Sequence, residues 1–137
     1  MNSAIRIGLS GLVSASNQVQ IASSNIVNAN NTSRIDDGSD AARLAAKKAF
    51  QPQRAQQSPL AGGGVMTTAV PVKPSQLVAF SPGDPNANTE GLVNFPNVSL
   101  ATEFVNLILA EQAFKASAAL IRTADEIERT LIEDLRT

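Results

Sequence analysis

The stretch LATEFVNLILAEQAFKASAALIRTADEIERTLIEDL, residues 100–135, holds no proline and no glycine and repeats its apolar residues every three or four positions. Leu100, Phe104, Leu107, Ala110, Phe114, Ser117, Ile121, Ala124, Ile127, Leu131 and Leu135 therefore fall on one stripe of a long amphipathic helix. Ser99 is placed to cap it, and Glu103 lies in its first turn, where a negative charge meets the positive end of the helix dipole. Its outer face offers four pairs at i,i+4: Glu111 with Lys115, Arg122 with Glu126, Asp125 with Arg129, and Arg129 with Glu133. Each is worth about 0.3 kcal/mol. At about 1.5 Å per residue such a helix spans about 50 Å, longer than so short a chain needs for a core of its own.

The opposite end of the chain has a matching pattern. Ile5, Leu9, Leu12, Ser16, Val19, Ser23 and Ile26 alternate at spacings of four and three, with Ala15 and Ala22 widening the stripe. Ser3 is a plausible cap, while Gly8 and Gly11 weaken the first turns by up to about 1 kcal/mol each relative to alanine. From Ile7 to Ser33 there is no charged residue, only Ser, Asn, Gln, Ala, Gly and Thr beside the apolar stripe. An ordinary surface helix carries Lys and Glu outward; an uncharged small-residue face suits a helix enclosed by protein on several sides.

All seven prolines lie between Pro52 and Pro96, so helix is expected at the two ends and not in the middle. Gly62, Gly63 and Gly64 make a flexible turn before Val65 to Val72, which contains Pro71 and is at best an edge strand. Leu77 to Phe80 and Leu92 to Phe95 are two further short strands, separated by the turn Pro82-Gly83-Asp84-Pro85. The Ala-rich run Asp40 to Phe50, with Leu44, Lys47 and Lys48, is helical by propensity, which tertiary context can override. The expected fold is mainly α: long terminal helices packing as a coiled-coil-like pair around a small irregular and β middle lobe. Residues 1–33 form the N-terminal helix, 34–99 the lobe and 100–137 the C-terminal helix. The two helical parts belong to one structural domain.

Composition removes most chemistry. The 137 residues include no Cys, His, Trp or Tyr, so thiolate nucleophiles, imidazole bases and the commonest transition-metal ligands are missing together. A formal net charge of -1 gives no electrostatic case for nucleic acid. The N-terminal segment is interrupted by Ser, Asn and Gln before it reaches secretory or membrane length, so neither a Sec signal nor a membrane span is expected. Asp36, Asp37 and Asp40 around Gly38 fail the spacing of a calcium loop, and the glycine triplet lacks the lysine of a phosphate cradle. Asn31-Thr32-Ser33 and Asn97-Val98-Ser99 match the glycosylation triplet, which matters only in a secretory-pathway protein. A carboxylate hydrolase would have only Asp84 or Glu90 to work with and no partner group for either. No catalytic, cofactor or metal residue is expected, and the chain is expected not to be an enzyme.

The segment Ala22-Ser23-Ser24-Asn25-Ile26-Val27-Asn28-Ala29-Asn30 resembles the N-terminal signature of the flagellar rod, hook and hook-associated proteins. Residues 97–108, then Glu111-Gln112-Ala113-Phe114 and Ile121-Arg122-Thr123-Ala124-Asp125-Glu126, resemble the C-terminal signature of the same group. The turn at 82–88, with Gly63-Gly64-Val65, Gly91-Leu92-Val93 and Phe95-Pro96-Asn97-Val98, is similar to the short proximal rod proteins of that group. The resemblance is weakest from Thr32 to Gln57, where the usual Gly-Tyr step is missing. It implies a structural subunit of the bacterial flagellar basal-body rod, exported by the flagellar type III apparatus without a cleaved signal peptide. Such a subunit assembles through its terminal helices into a hollow periplasmic tube that transmits torque. The implied partners are copies of itself, other rod proteins, the membrane-ring protein and the export apparatus. No cofactor is implied.

The expected assembly interface is Ile5, Leu9, Leu12, Val19, Asn25, Ile26 and Asn28 on the first helix. On the last it is Leu100, Phe104, Leu107, Phe114, Ile121, Ile127 and Leu131. The principal seam sets Leu9, Leu12, Val19 and Ile26 against Phe104, Leu107, Phe114 and Ile121. Rival readings are another flagellar axial component and, from a different class, a self-contained helical adaptor or export chaperone.

Overall fold

Glycine and proline punctuate the chain where the pattern places them, and the elements follow. The computed structural model describes residues 2–36 and 38–136; Met1, Asp37 and Thr137 lie outside the described residues. α1 runs Asn2–Asn28, α2 Asp40–Lys48 and α3 Leu100–Asp134. Between the helices come β1 Gln53–Pro59, β2 Val65–Pro71, β3 Gln76–Phe80 and β4 Leu92–Pro96. The 35-residue α3 begins where its cap dictates, with the Ser99 hydroxyl accepting from the Thr102 backbone N–H at 3.4 Å. Ser39 caps α2 in the same way, accepting from the Ala42 N–H at 3.2 Å, so propensity prevails in that Ala-rich run.

The middle of the chain forms two antiparallel hairpins in separate sheets. β1 pairs with β2 from Gln53 opposite Pro71 to Pro59 opposite Val65, and β3 pairs with β4 from Gln76 opposite Pro96 to Phe80 opposite Leu92. The first hairpin lies along α1. The second sits beyond the C-terminal end of α1, held by the exchange of backbone hydrogen bonds between Ser33 and Asn94 at 2.9 Å each. Asn86 adds a side-chain bond from its Nδ2 to the Thr32 hydroxyl at 3.0 Å.

β1 has no signal in its sequence. Gln53-Arg54-Ala55-Gln56-Gln57-Ser58-Pro59 is polar and poor in β-branched residues, and it becomes a strand because β2 and α1 provide partners for its backbone. The glycine triplet joining the two strands is docked on α1. Gly62, Gly63 and Gly64 have φ of 90°, 91° and 100°, a region that side chains disfavour. The Gly64 backbone also lies so close to α1 that a Cβ there would strike the Ser10 side chain. Ser10 in turn uses its hydroxyl to accept from the Val65 N–H at 3.2 Å. Gly64→Ala is expected to lower stability by about 2 kcal/mol through backbone strain and overpacking together. Gly83→Ala, with open space around it, should leave the midpoint of urea unfolding unchanged.

Candidate assembly surface

α1 and α3 run antiparallel and approach most closely where α1 has no side chain. A Cβ on Gly8 would meet Ile121 Cγ1 at 2.6 Å, and one on Gly11 would strike the Ser117 hydroxyl. The two glycines weaken α1 as an isolated helix, and they are what lets Ile121 and Ser117 of α3 reach its backbone. Small residues continue the contact. Ala15 and Ala22 on α1, Ala29 in the turn just after it, and Ala110 and Ala124 on α3 are buried. Large side chains thus take little part in the closest packing between the helices.

Asn25 joins three elements. It is 1% exposed, and its Nδ2 donates to the Gln53 carbonyl at 2.6 Å and to Glu103 Oε1 at 2.7 Å. Its Oδ1 accepts from the Gln53 N–H at 3.1 Å. One amide therefore fastens α1 to the first residue of β1 and to the first turn of α3. The other oxygen of Glu103 accepts from Asn106 at 3.1 Å, which fixes the carboxylate. A second polar tie holds the hairpin: the buried Ser14 and Thr67 hydroxyls share a hydrogen bond of 2.5 Å.

The residues expected at the interface divide in two. Asn25 is buried, and Ile5, Leu12, Ile26, Asn28, Leu107 and Ile121 are half-buried. Leu9, Val19, Leu100, Phe104, Phe114, Ile127 and Leu131 are exposed. Of the residues in the expected seam, Leu12, Ile26, Leu107 and Ile121 are half-buried, Ile121 against Gly8, while Leu9, Val19, Phe104 and Phe114 are exposed. Around the latter, α3 also exposes Val105, Ile108, Leu109, Leu120, Ile132 and Leu135. By length and composition α3 is apolar enough to cross a membrane, yet only 6% of its most apolar window is buried within the chain. So much uncovered apolar surface on one element marks an interaction surface.

Charge on α3 is sparser in pairs than the sequence allows. Glu111 binds Lys115 and Asp125 binds Arg129, whereas Arg122–Glu126 and Arg129–Glu133 do not form. Arg129 has one guanidinium and turns it to Asp125. The Lys115 ammonium, by its hydrogen bond and then its charge, holds the Glu111 carboxyl below its ordinary pKa. That depression favours the fold above the usual carboxylate range and is lost as pH falls through the lowered value, though both groups are exposed and the effect is small. Among the described residues no group of carboxylates is placed to hold a metal ion. Asp36 instead accepts from the Gly38 N–H at 2.9 Å in a local turn.

Residues 89–134, spanning β4 and all of α3, match the family model described as "Flagellar basal body rod FlgEFG protein C-terminal". The flagellar basal-body rod protein FlgC of Salmonella typhimurium is 26% identical over 114 residues, covering 83% of this chain and 82% of the relative. Both matches are to flagellar basal-body rod proteins. The chain is similar to the flagellar basal-body rod proteins, FlgC among them. FlgC of Yersinia enterocolitica is 27% identical over 118 residues, covering 86% and 85% of the two chains, and that of Buchnera aphidicola is 26% identical over 120. The relatives it matches are rod proteins, a structural family not known as enzymes.

Sequence reasoning singled out Asn25 through the signature of the rod proteins but had no partner for it, because Gln53 lies in the strand that carries no signal. Glu103 had been assigned only to the helix dipole. The spacing of Gly8 and Gly11, three apart on the apolar side of α1, was the available sign of a close helix contact.

Proposed function

We propose that this rod protein is a subunit of the proximal rod, built into a hollow axial tube by its terminal helices. The observation that carries this reading is the apolar surface of α3, which the chain leaves uncovered along the whole helix. In this reading α1 and α3 form the axial domain, 1–33 with 100–137, and the hairpins of 34–99 lie outside it. The helices pack in a coiled-coil-like manner against those of adjacent subunits. Leu9, Val19, Phe104, Phe114, Ile127 and Leu131 meet neighbours, and Ile5, Leu12, Ile26, Leu107 and Ile121 complete the pairing within the subunit. Protein and not lipid covers α3, since Glu103, Glu111, Lys115, Arg122 and a charged last third interrupt it.

Neighbours would be copies of the chain and other rod proteins in the periplasm, with the membrane-ring protein and export apparatus at the base. Export would occur unfolded and without removal of a signal peptide. Torque would pass through many packed contacts in parallel, none of which needs to be strong. Deleting the chain from its own bacterium should abolish swimming and leave basal bodies without a complete rod in electron micrographs, both restored by the wild-type chain on a plasmid. Normal rods in the deletion strain would sink the reading.

A further inference from the structure

A two-stranded sheet has two outer edges, and in the β3–β4 hairpin one of them is closed from within the chain. The Ser81 N–H donates to the Gly91 carbonyl at 2.8 Å and the Asn97 N–H to the Ser75 carbonyl at 2.9 Å. The bonded pairs of the ladder are therefore Leu77 with Phe95 and Ala79 with Val93, while Leu92 and Asn94 turn their backbone groups outward from β4. Both of these are taken up. The Leu92 N–H donates to Asn88 Oδ1 at 2.9 Å and its carbonyl accepts from the Asn88 N–H at 3.0 Å, and Asn94 exchanges bonds with Ser33 at 2.9 Å each. By the same alternation Gln76, Val78 and Phe80 turn their N–H and C=O groups outward from β3, where they bond to no described residue.

That open edge lacks the features that keep strands apart. Solvent-facing edge strands are blunted by a charge, a proline or a bulge, and Gln76-Leu77-Val78-Ala79-Phe80 has none of these. The side chains of Gln76, Val78 and Phe80 share one face of the sheet, and Val78 and Phe80 are 59% and 71% exposed. The strand also differs in charge from end to end. Lys73 lies just before it and Asp84 and Glu90 lie in the connection after it, and among the described residues none of the three makes an ion pair. Arg34 and Lys48 line a cavity with Ser33, which lies on the edge of β4 away from β3.

We propose that the β3 edge of one chain pairs with the β3 edge of a second copy, antiparallel about a twofold axis at Val78. In that register Val78 stands opposite the partner's Val78 and Gln76 opposite the partner's Phe80. Every outward N–H and C=O of Gln76, Val78 and Phe80 then finds a partner, and the two hairpins join into one continuous sheet. The same axis lays the basic end of each strand beside the acidic end of the other, Lys73 toward the turn that carries Asp84, whereas parallel pairing would set like ends together. A strand of five residues gives a small interface, so the dimer is a weak one. The contact is isologous and closes on itself. It is a state of the free chain: in the rod proposed above copies point one way, so a subunit entering it first leaves its twofold partner.

Sedimentation equilibrium of the purified full-length chain should show a monomer in exchange with a dimer. Val78→Lys sets two ammonium groups face to face on the axis and Val78→Pro removes the N–H that bonds across it, so each should weaken dimerisation by about tenfold or more, while Val78→Ile should not. Val78 is exposed and its N–H is unused within the hairpin, so the thermal melt of Val78→Lys should stay close to wild type. The chain has no cysteine, and under mild oxidation Val78→Cys should give about ten times more disulfide-linked dimer than Thr68→Cys, exposed on β2. The same comparison in a chain carrying Phe104→Glu and Ile108→Glu removes association through α3. Dimers that ignore Val78→Lys, or that vanish with the α3 substitutions alone, would overturn the pairing. So would a chain that stays monomeric; if Val78→Lys then impaired swimming, the edge would belong to a strand of another protein. Because the pairing is measured on the free chain, a deletion strain with normal rods would remove the rod reading and leave the pairing standing.

Discussion

Asn25→Ala is expected to lower stability by about 3 kcal/mol, because it removes a buried side chain that ties α1, β1 and α3 together. Each of its three hydrogen bonds is worth about 1 kcal/mol, and the Gln53 amide and the Glu103 carboxylate are left to find other partners. Asn25→Asp should be worse at neutral pH. The new carboxylate cannot donate to the Gln53 carbonyl, and it would face Glu103 across the 2.7 Å now spanned by a hydrogen bond. Its excess cost over Asn25→Ala should shrink as pH falls through the carboxylate range, since protonating one of the two carboxyls returns a donor to the site. Urea unfolding of both variants at pH 7 and pH 4, followed by far-UV circular dichroism, checks this. An Asn25→Ala protein with a wild-type midpoint would show that the amide bridge is dispensable.

That bridge marks where the sequence was legible and where it stopped. The two long helices follow from periodicity and from the confinement of proline to the middle, and α3 begins at the serine expected to cap it. β2, β3 and β4 fall on apolar runs bounded by Gly and Pro turns. β1 does not, because its strand conformation comes from the hydrogen-bonding needs of β2, the other arm of its hairpin, and from Asn25, which is remote in sequence. The apolar stripes also gave the faces of the helices without giving their depth. Gly8, Gly11 and the buried alanines bring α1 and α3 so close that Phe104, Phe114, Leu9 and Val19 are left outside the contact. A stripe drawn from hydrophobicity weights large residues, whereas helix approach is limited by bulk and favours small ones. The consequence is functional: large apolar side chains released from the internal contact become available to neighbours.

Phe104→Glu combined with Ile108→Glu is therefore expected to abolish rod assembly while leaving the isolated chain folded. The two residues are one turn apart on α3 and are 55% and 54% exposed. Substitution of side chains so far in solvent should change stability by about 1 kcal/mol at most. In the rod, under the reading proposed above, the same positions are covered by a neighbour, and each glutamate would bring a carboxylate into an apolar contact without a partner. A combined cost of about 4 kcal/mol weakens that contact by about a thousandfold. Swimming in soft agar should fall to the level of the deletion strain, with the variant chain still exported and its circular dichroism melt close to wild type. Gln56→Glu, which adds a charge to the exposed β1 hairpin, should swim normally. A double variant that swims at the wild-type rate would mean that this face of α3 meets solvent in the assembled rod, and the tube would then have to be held by the remaining exposed face around Leu9, Val13 and Val19.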